Sequence, residues 1–485
     1  MNPASLLLQE CDSKTCDIYY HLETLCICYP GRLTGSETLE RALEYLRELG
    51  EVKLSLGSAR EQTVTCPQWV RGDAEKEKLY VKIEALGNVW PLPHPDTRVM
   101  PVLANGCSVG TPEDKPAKGE IAIIHNTEML HEEGKAGNLE GKIVLVDWQT
   151  FVTYGALSGA YRNDAASQAA SYGAIGIVIR SIAPNGSIGG LHTGTMEYHE
   201  SVTKIPACCL SAENTELLTR LHERGYQLNA TLCLPCKELP PRESKNIIFD
   251  LPGCHDDPDV ANSIVLIGAH SDSWECHHQA CQGAHDDGQG IAVIMQVLHI
   301  IKKHYPDGCM RTIRVVLFVD EEVRQSGASA YFESLSESEL AKHYIVMETD
   351  LGAGPVCGFG FSSLNCDDKG EKARDIVKSI LKPMNDLIHE KEVVNRIEKD
   401  WAGWGVDTYP LCKAGIPGLL LRHEDTWWNG DYFHHHHTAS DTIDHVDKSL
   451  LILNLKCMLA ATFLCANSLE VIPRGNLTTT RKRKL

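Results

Sequence analysis

The stretch that decides the fold is Ile264-Val265-Leu266-Ile267-Gly268-Ala269-His270-Ser271-Asp272, an apolar run that ends in an imidazole and a carboxylate. A loop later, Gly283-Ala284-His285-Asp286-Asp287-Gly288 opens a helical pattern in which Ile291, Ile294, Met295 and Leu298 share one face. The arrangement recurs downstream. Residues 315–319 run into Asp320-Glu321-Glu322, residues 344–347 into Glu348-Thr349-Asp350, and residues 418–421 into a loop with His437 and Asp441-Thr442. Short buried strands alternating with amphipathic helices predict an α/β fold, a mostly parallel mixed sheet sandwiched by helices. Ligands of such sheets bind at the carboxyl ends of the strands, so His270, Asp286, Glu321, Glu322, Asp350 and His437 are expected to converge.

Imidazole and carboxylate without thiolate at those points make an N/O site suited to zinc or a similar divalent ion. Two histidines and three or four carboxylates exceed the needs of one catalytic zinc. They suit two ions about 4 Å apart that share a bridging carboxylate and activate a water together. Each piece also has a plainer reading: a packed histidine, Asp286-Asp287 capping a helix, Glu321-Glu322 as a solvated helix start. Five such pieces at strand exits of one domain favour the metal centre.

Upstream, residues 36–50 read as an amphipathic helix that starts at Ser36 and stops at Gly50. From 95 to 240 short apolar runs (120–124, 142–147, 173–180) alternate with Gly, Asn and Pro around one helical segment at 165–172, which predicts a strand-rich insert. Residues 236–244, with Pro240 and Pro241, read as a linker back to the main domain. The expected organisation is 1–94 as the N-terminal part of the main domain, 95–240 as the insert, 241–470 as the metal-bearing part and 471–485 as a basic tail.

Composition sets the outer bounds. The chain has 485 residues, 43% of them hydrophobic, enough for more than one core. Acids outnumber bases 65 to 46, for a formal charge of −19, which argues against nucleic acid or an anionic membrane as partner. The only apolar run near the start is Leu6-Leu7-Leu8, so no signal peptide is visible. The 19 cysteines are scattered and do not read as a small disulfide scaffold.

His270-Ser271-Asp272, Gly283-Ala284-His285-Asp286-Asp287-Gly288, Glu321-Glu322 with Gly327-Ala328, Met347-Glu348-Thr349-Asp350 and residues 437–442 resemble the co-catalytic zinc aminopeptidase/carboxypeptidase family. Gly31-Arg32-Leu33-Thr34-Gly35-Ser36, Trp69-Val70-Arg71-Gly72, His192-Thr193-Gly194 and Lys204-Ile205-Pro206 extend the resemblance over residues 27–470. It implies a zinc-peptidase fold whose insert is a β-rich protease-associated domain. It also implies two Zn²⁺ per chain, His270 and Asp350 on one ion, Glu322 and His437 on the other, and Asp286 bridging them. Glu321 would be the general base. Asp272 would orient His270 through its other ring nitrogen, and Asp441 would support the His437 loop. A cis bond between Asp286 and Asp287 is part of the same pattern. The implied protein is a metallo-carboxypeptidase or dipeptidase, a secreted or lysosomal homodimer that hydrolyses small peptides, chiefly dipeptides with free ends.

Two features depart from the pattern. Glu275-Cys276-His277-His278-Gln279-Ala280-Cys281 lengthens the loop between Asp272 and Asp286, as a surface loop or as a redox or metal element. The lack of a visible signal peptide leaves a cytoplasmic homologue as the alternative. The competing functions are an aminopeptidase acting on longer peptides and a non-catalytic binding homologue, the latter expected to have lost ligands.

Overall fold

The computed structural model describes residues 3–14, 16–87, 89–90, 96–147, 156–182, 189–276, 281–362, 369–388, 397–399, 406–424 and 431–475. Residues 277–280 of the lengthened loop and 476–485 of the basic tail lie outside them.

An eight-stranded mixed sheet carries the molecule. Its order is Arg60–Val70, Lys237–Leu251, Thr312–Phe318, Ile264–His270, His343–Glu348, Gly418–His423, Val356–Ser362 and Ile397–Lys399. Ile264–His270 pairs in parallel with Thr312–Phe318 on one side and His343–Glu348 on the other, and Gly418–His423 continues in parallel. Four carboxyl ends therefore point the same way. Every residue of Ile264–His270 is buried, and the pleat divides them. Val265, Ile267 and Ala269 join a core under Gln289–His304 and Lys448–Ala466, while Ile264 and Leu266 pack with Ala328, Tyr331 and Leu411 on the other face. That two-sided burial is why the strand reads as an unbroken apolar run. Lys448–Ala466 is apolar all round because it lies inside the core, packed on Gln289–His304.

The helix expected at 36–50 spans Glu37–Glu48, with Ser36 accepting the Leu39 N–H at 3.1 Å as its cap. Gly50 is not its stop. The helix runs on through a wider turn, Leu49–Lys53, and a Cβ on Gly50 would lie 2.3 Å from the buried Phe249 ring. The expected linker at 236–244 is instead the first half of Lys237–Leu251, paired antiparallel with Arg60–Val70. Within Lys237–Leu251 only Ile247–Leu251 pairs with Thr312–Phe318, so Pro240 and Pro241 sit where one side of the strand is unpaired and a missing N–H costs little.

The insert is a closed seven-stranded barrel in the order Lys78–Ala85, Thr97–Ala104, Ala207–Leu210, Gly176–Arg180, Ile143–Val146, Ala117–Ile124, Tyr226–Cys233. Lys78–Ala85 comes from upstream of residue 95 and closes the barrel by pairing with Thr97–Ala104 and Tyr226–Cys233. The helix expected at 165–172 is the end of a longer one, Ala156–Ser171.

Candidate metal centre

His270 ends its strand, Asp350 follows Glu348 at the end of the next, and Glu322 follows Thr312–Phe318. Asp286 stands in the turn Ala284–Gly288, joined to Asp287 by a cis peptide bond, and His437 lies after the short helix Asp431–His435. All five are buried or nearly so.

Two carbonyls set the tautomers of the histidines. His270 Nδ1 donates to the Asp272 carbonyl at 3.0 Å, and His437 Nδ1 donates to the Thr193 carbonyl at 3.2 Å. In the neutral ring each Nε2 then carries a lone pair. His270 Nε2 faces Asp286 Oδ1 at 3.1 Å and Asp350 Oδ1 at 3.4 Å. His437 Nε2 faces Asp286 Oδ2 at 3.2 Å and Glu322 Oε2 at 2.9 Å. Lone pairs converge in two half-sets joined through the two oxygens of Asp286, which fits a pair of divalent cations. Glu322 Oε1 is buried without a hydrogen-bond donor among the described residues.

Electrostatics say the same. Burial pushes the Asp350 and Glu322 carboxyls up, and the Asp286 charge adds to it. Burial opposes a charge on His270 and His437, but the adjoining carboxylates outweigh it and raise both. Both half-sets thus favour a positive charge among their donors. Glu321 is raised by burial and by its acidic neighbours Asp350 and Glu322.

The two supporting acids differ from the expected arrangement. The Asp272 carboxylate lies 3.8 Å from His270 Nδ1, which takes the Asp272 carbonyl instead. Its oxygens accept the N–H groups of Glu321 at 3.1 Å and Glu322 at 3.2 Å and the Thr34 hydroxyl at 2.8 Å. Asp272 therefore holds the turn that presents both glutamates. Asp441 was expected under the His437 loop, yet its carboxylate accepts from the backbone N–H groups of Ala284, His285 and Asp286 at 3.0, 2.7 and 3.2 Å. It fixes the turn that carries Asp286.

Several residues at the centre escaped the sequence reading. The Thr193 carbonyl that orients His437 comes from the barrel insert, and the same oxygen accepts from Arg162 Nη1 at 3.1 Å. The Thr193 N–H donates to the His437 carbonyl at 3.0 Å. His192, His436 and His437 bring ring nitrogens within 4.8 Å of one another, and His436 Nε2 lies 3.6 Å from Asp286 Oδ2. Asp287 accepts from Gln289 Nε2 and the Gly290 N–H at 3.0 and 3.1 Å, and Glu348 accepts the N–H groups of Asp407 and Thr408. The Gly283 and Gly288 pair around Asp286-Asp287 is the only sequence signal for that turn. Cys276 and Cys281, at the ends of the lengthened loop, are buried thiols.

Residues 246–462 match the Peptidase family M28 model, and residues 97–218 match the PA domain model. Carboxypeptidase Q of Bos taurus is 30% identical over 94% of this chain and 87% of its own length. A crystal structure of a Peptidase M28 precursor from Shewanella amazonensis SB2B superposes with a TM-score of 0.80 at 30% identity, covering 97% of each chain. A zinc aminopeptidase from Bacillus subtilis shares the fold at a TM-score of 0.64, with 20% identity over 95% of this chain and 98% of its own.

Proposed function

The chain belongs to peptidase family M28 as a carboxypeptidase Q-like peptide hydrolase, and from that premise we propose a dipeptidase that works with two zinc ions. The observation that carries the reading is the pair of half-sets joined by Asp286: His270 with Asp350, and His437 with Glu322. Imidazole and carboxylate donors suit zinc, and bound there the two ions would lower the pKa of a water and polarise the peptide carbonyl. This chain's own residues do the rest. Glu321, beside the ligand Glu322 on the same turn, takes the water proton and returns it to the leaving amine. Asp272 and Asp441 hold the two turns in register through backbone N–H groups.

Metal analysis with dipeptide turnover tests the reading. The wild type should hold two zinc ions per chain and cleave free dipeptides faster than N-blocked or C-amidated peptides. Glu321→Gln should keep the zinc and lose about 100- to 10,000-fold in kcat. Faster cleavage of longer peptides would turn the reading to an aminopeptidase, and near-normal turnover of Glu321→Gln would remove Glu321 from its role.

A further inference from the structure

We propose that Gln325 is a positioning residue for the general base: its side-chain amide holds Glu321 by Oε1 and leaves Oε2 as the oxygen that takes the proton. The proposal rests on the reading of Glu321 given above. Gln325 Nε2 donates to Glu321 Oε1 at 2.9 Å, and it is the one side-chain donor to that carboxylate among the described residues. A glutamate carboxyl turns about a broad, weakly restrained terminal torsion, so without a fixed donor its two oxygens exchange places.

The backbone makes the glutamine informative. Gln325 has φ 54° and ψ 37°, the left-handed region that glycine or asparagine occupies readily and a glutamine does not. It is also the residue before the helix Ser326–Ser334, where its side chain makes no capping bond. Neither local conformation nor capping favours glutamine here.

The turn does not depend on the amide for its shape. Asp272 takes the N–H groups of Glu321 and Glu322, and the Asp320 carboxylate takes the Ser326 N–H and hydroxyl. The Gly327 N–H closes onto the Val319 carbonyl at 2.9 Å. What the amide adds is its bond to Glu321. A residue that breaks local preference while contacting a reacting group is placed for that group.

The holoenzyme with Gln325→Gly, Gln325→Asn and Glu321→Gln, alone and combined, tests the proposal. Gln325→Gly relaxes the backbone, so Tm should hold or rise. Zinc content and the dipeptide KM should stay within twofold while kcat falls about 10- to 100-fold. Gln325→Asn suits the left-handed backbone but is one methylene too short to reach Oε1, and should lose kcat alike. In the Glu321→Gln background, Gln325→Gly should change kcat no further. Full kcat in Gln325→Gly or Gln325→Asn, with wild-type and Glu321→Gln behaviour as expected, overturns this proposal alone. A wild type without dipeptide turnover overturns the functional reading and this proposal with it.

Discussion

Residue by residue, the candidate centre is held as much by backbone N–H groups as by its imidazoles and carboxylates. Asp441 accepts three of them, from Ala284, His285 and Asp286, and so sets where the Asp286 carboxylate stands. Groups that orient metal ligands are typically worth 10- to 100-fold in metal affinity. Asp441→Ala should weaken zinc by about that factor in a chelator competition while leaving the ligands themselves in place. Affinity equal to the wild type would show that the turn Ala284–Gly288 stands without it. The converging imidazoles and carboxylates were legible together, because each alone has a plainer use and only their recurrence at several strand exits of one domain pointed to a common centre. The partners of the supporting acids were not, since a backbone N–H or carbonyl has no signature in a sequence. Hence Asp272 was read as serving His270 through its carboxylate, whereas its oxygens hold the Glu321-Glu322 turn.

At the scale of elements, the strands that were read correctly are those buried on both faces, such as Ile264–His270 and His343–Glu348. Lys237–Leu251, misread as a linker, begins in an exposed half with two prolines, where composition mimics a linker and pairing decides. The helix Gln289–His304 is closely coupled to the centre. Its second residue is Gly290, where a Cβ would stand 2.3 Å from Asp287 Oδ2 and 2.4 Å from the Thr349 carbonyl. The helix thus approaches the strand exits more closely than any residue with a side chain allows. Gly290→Ala should cost about 1–3 kcal/mol of stability, the usual range for overfilling a packed interior. It should also lower zinc content, because Asp287 neighbours Asp286 and the extra methyl displaces that carboxylate. Denaturant midpoints and metal analysis check both, and an alanine variant with wild-type values in each would refute the close-approach argument.

For the molecule as a whole, the insert is part of the centre rather than an appendage, since the Thr193 carbonyl orients His437 and the Thr193 N–H ties back to it. That coupling makes the stability of the whole chain depend on metal and pH together. Consider the metal-free chain first. Asp441 is pushed up to about 7 by burial and by the Asp286 charge, and Glu322 and Asp350 are raised for the same kinds of reason. An acid whose folded pKa lies above its unfolded value stabilises the fold at low pH. That contribution is lost as pH climbs from about 4 to about 7. Two further buried histidines act in the opposite sense. His343 is lowered to about 4 by burial and by Arg314, and His423 is lowered to about 4 by burial despite its bond to Asn454. Each binds a proton more readily when unfolded, so the stability it contributes is complete above about pH 6.5 and is lost as pH falls toward 4. Bound cations would offset the acidic repulsion at Glu322 and Asp350 and leave the histidine limb in place. Zinc should therefore raise the unfolding midpoint more at pH 7.5 than at pH 5.5, where protons compete for the same carboxylates. The zinc-loaded protein should itself lose stability between pH 6.5 and 4.5, and His423→Asn should flatten part of that limb. Urea titrations of loaded and chelator-stripped protein at both pH values measure the four quantities. A zinc increment that is equal at the two pH values, or larger at pH 5.5, would show that the carboxylates are not raised in the metal-free fold.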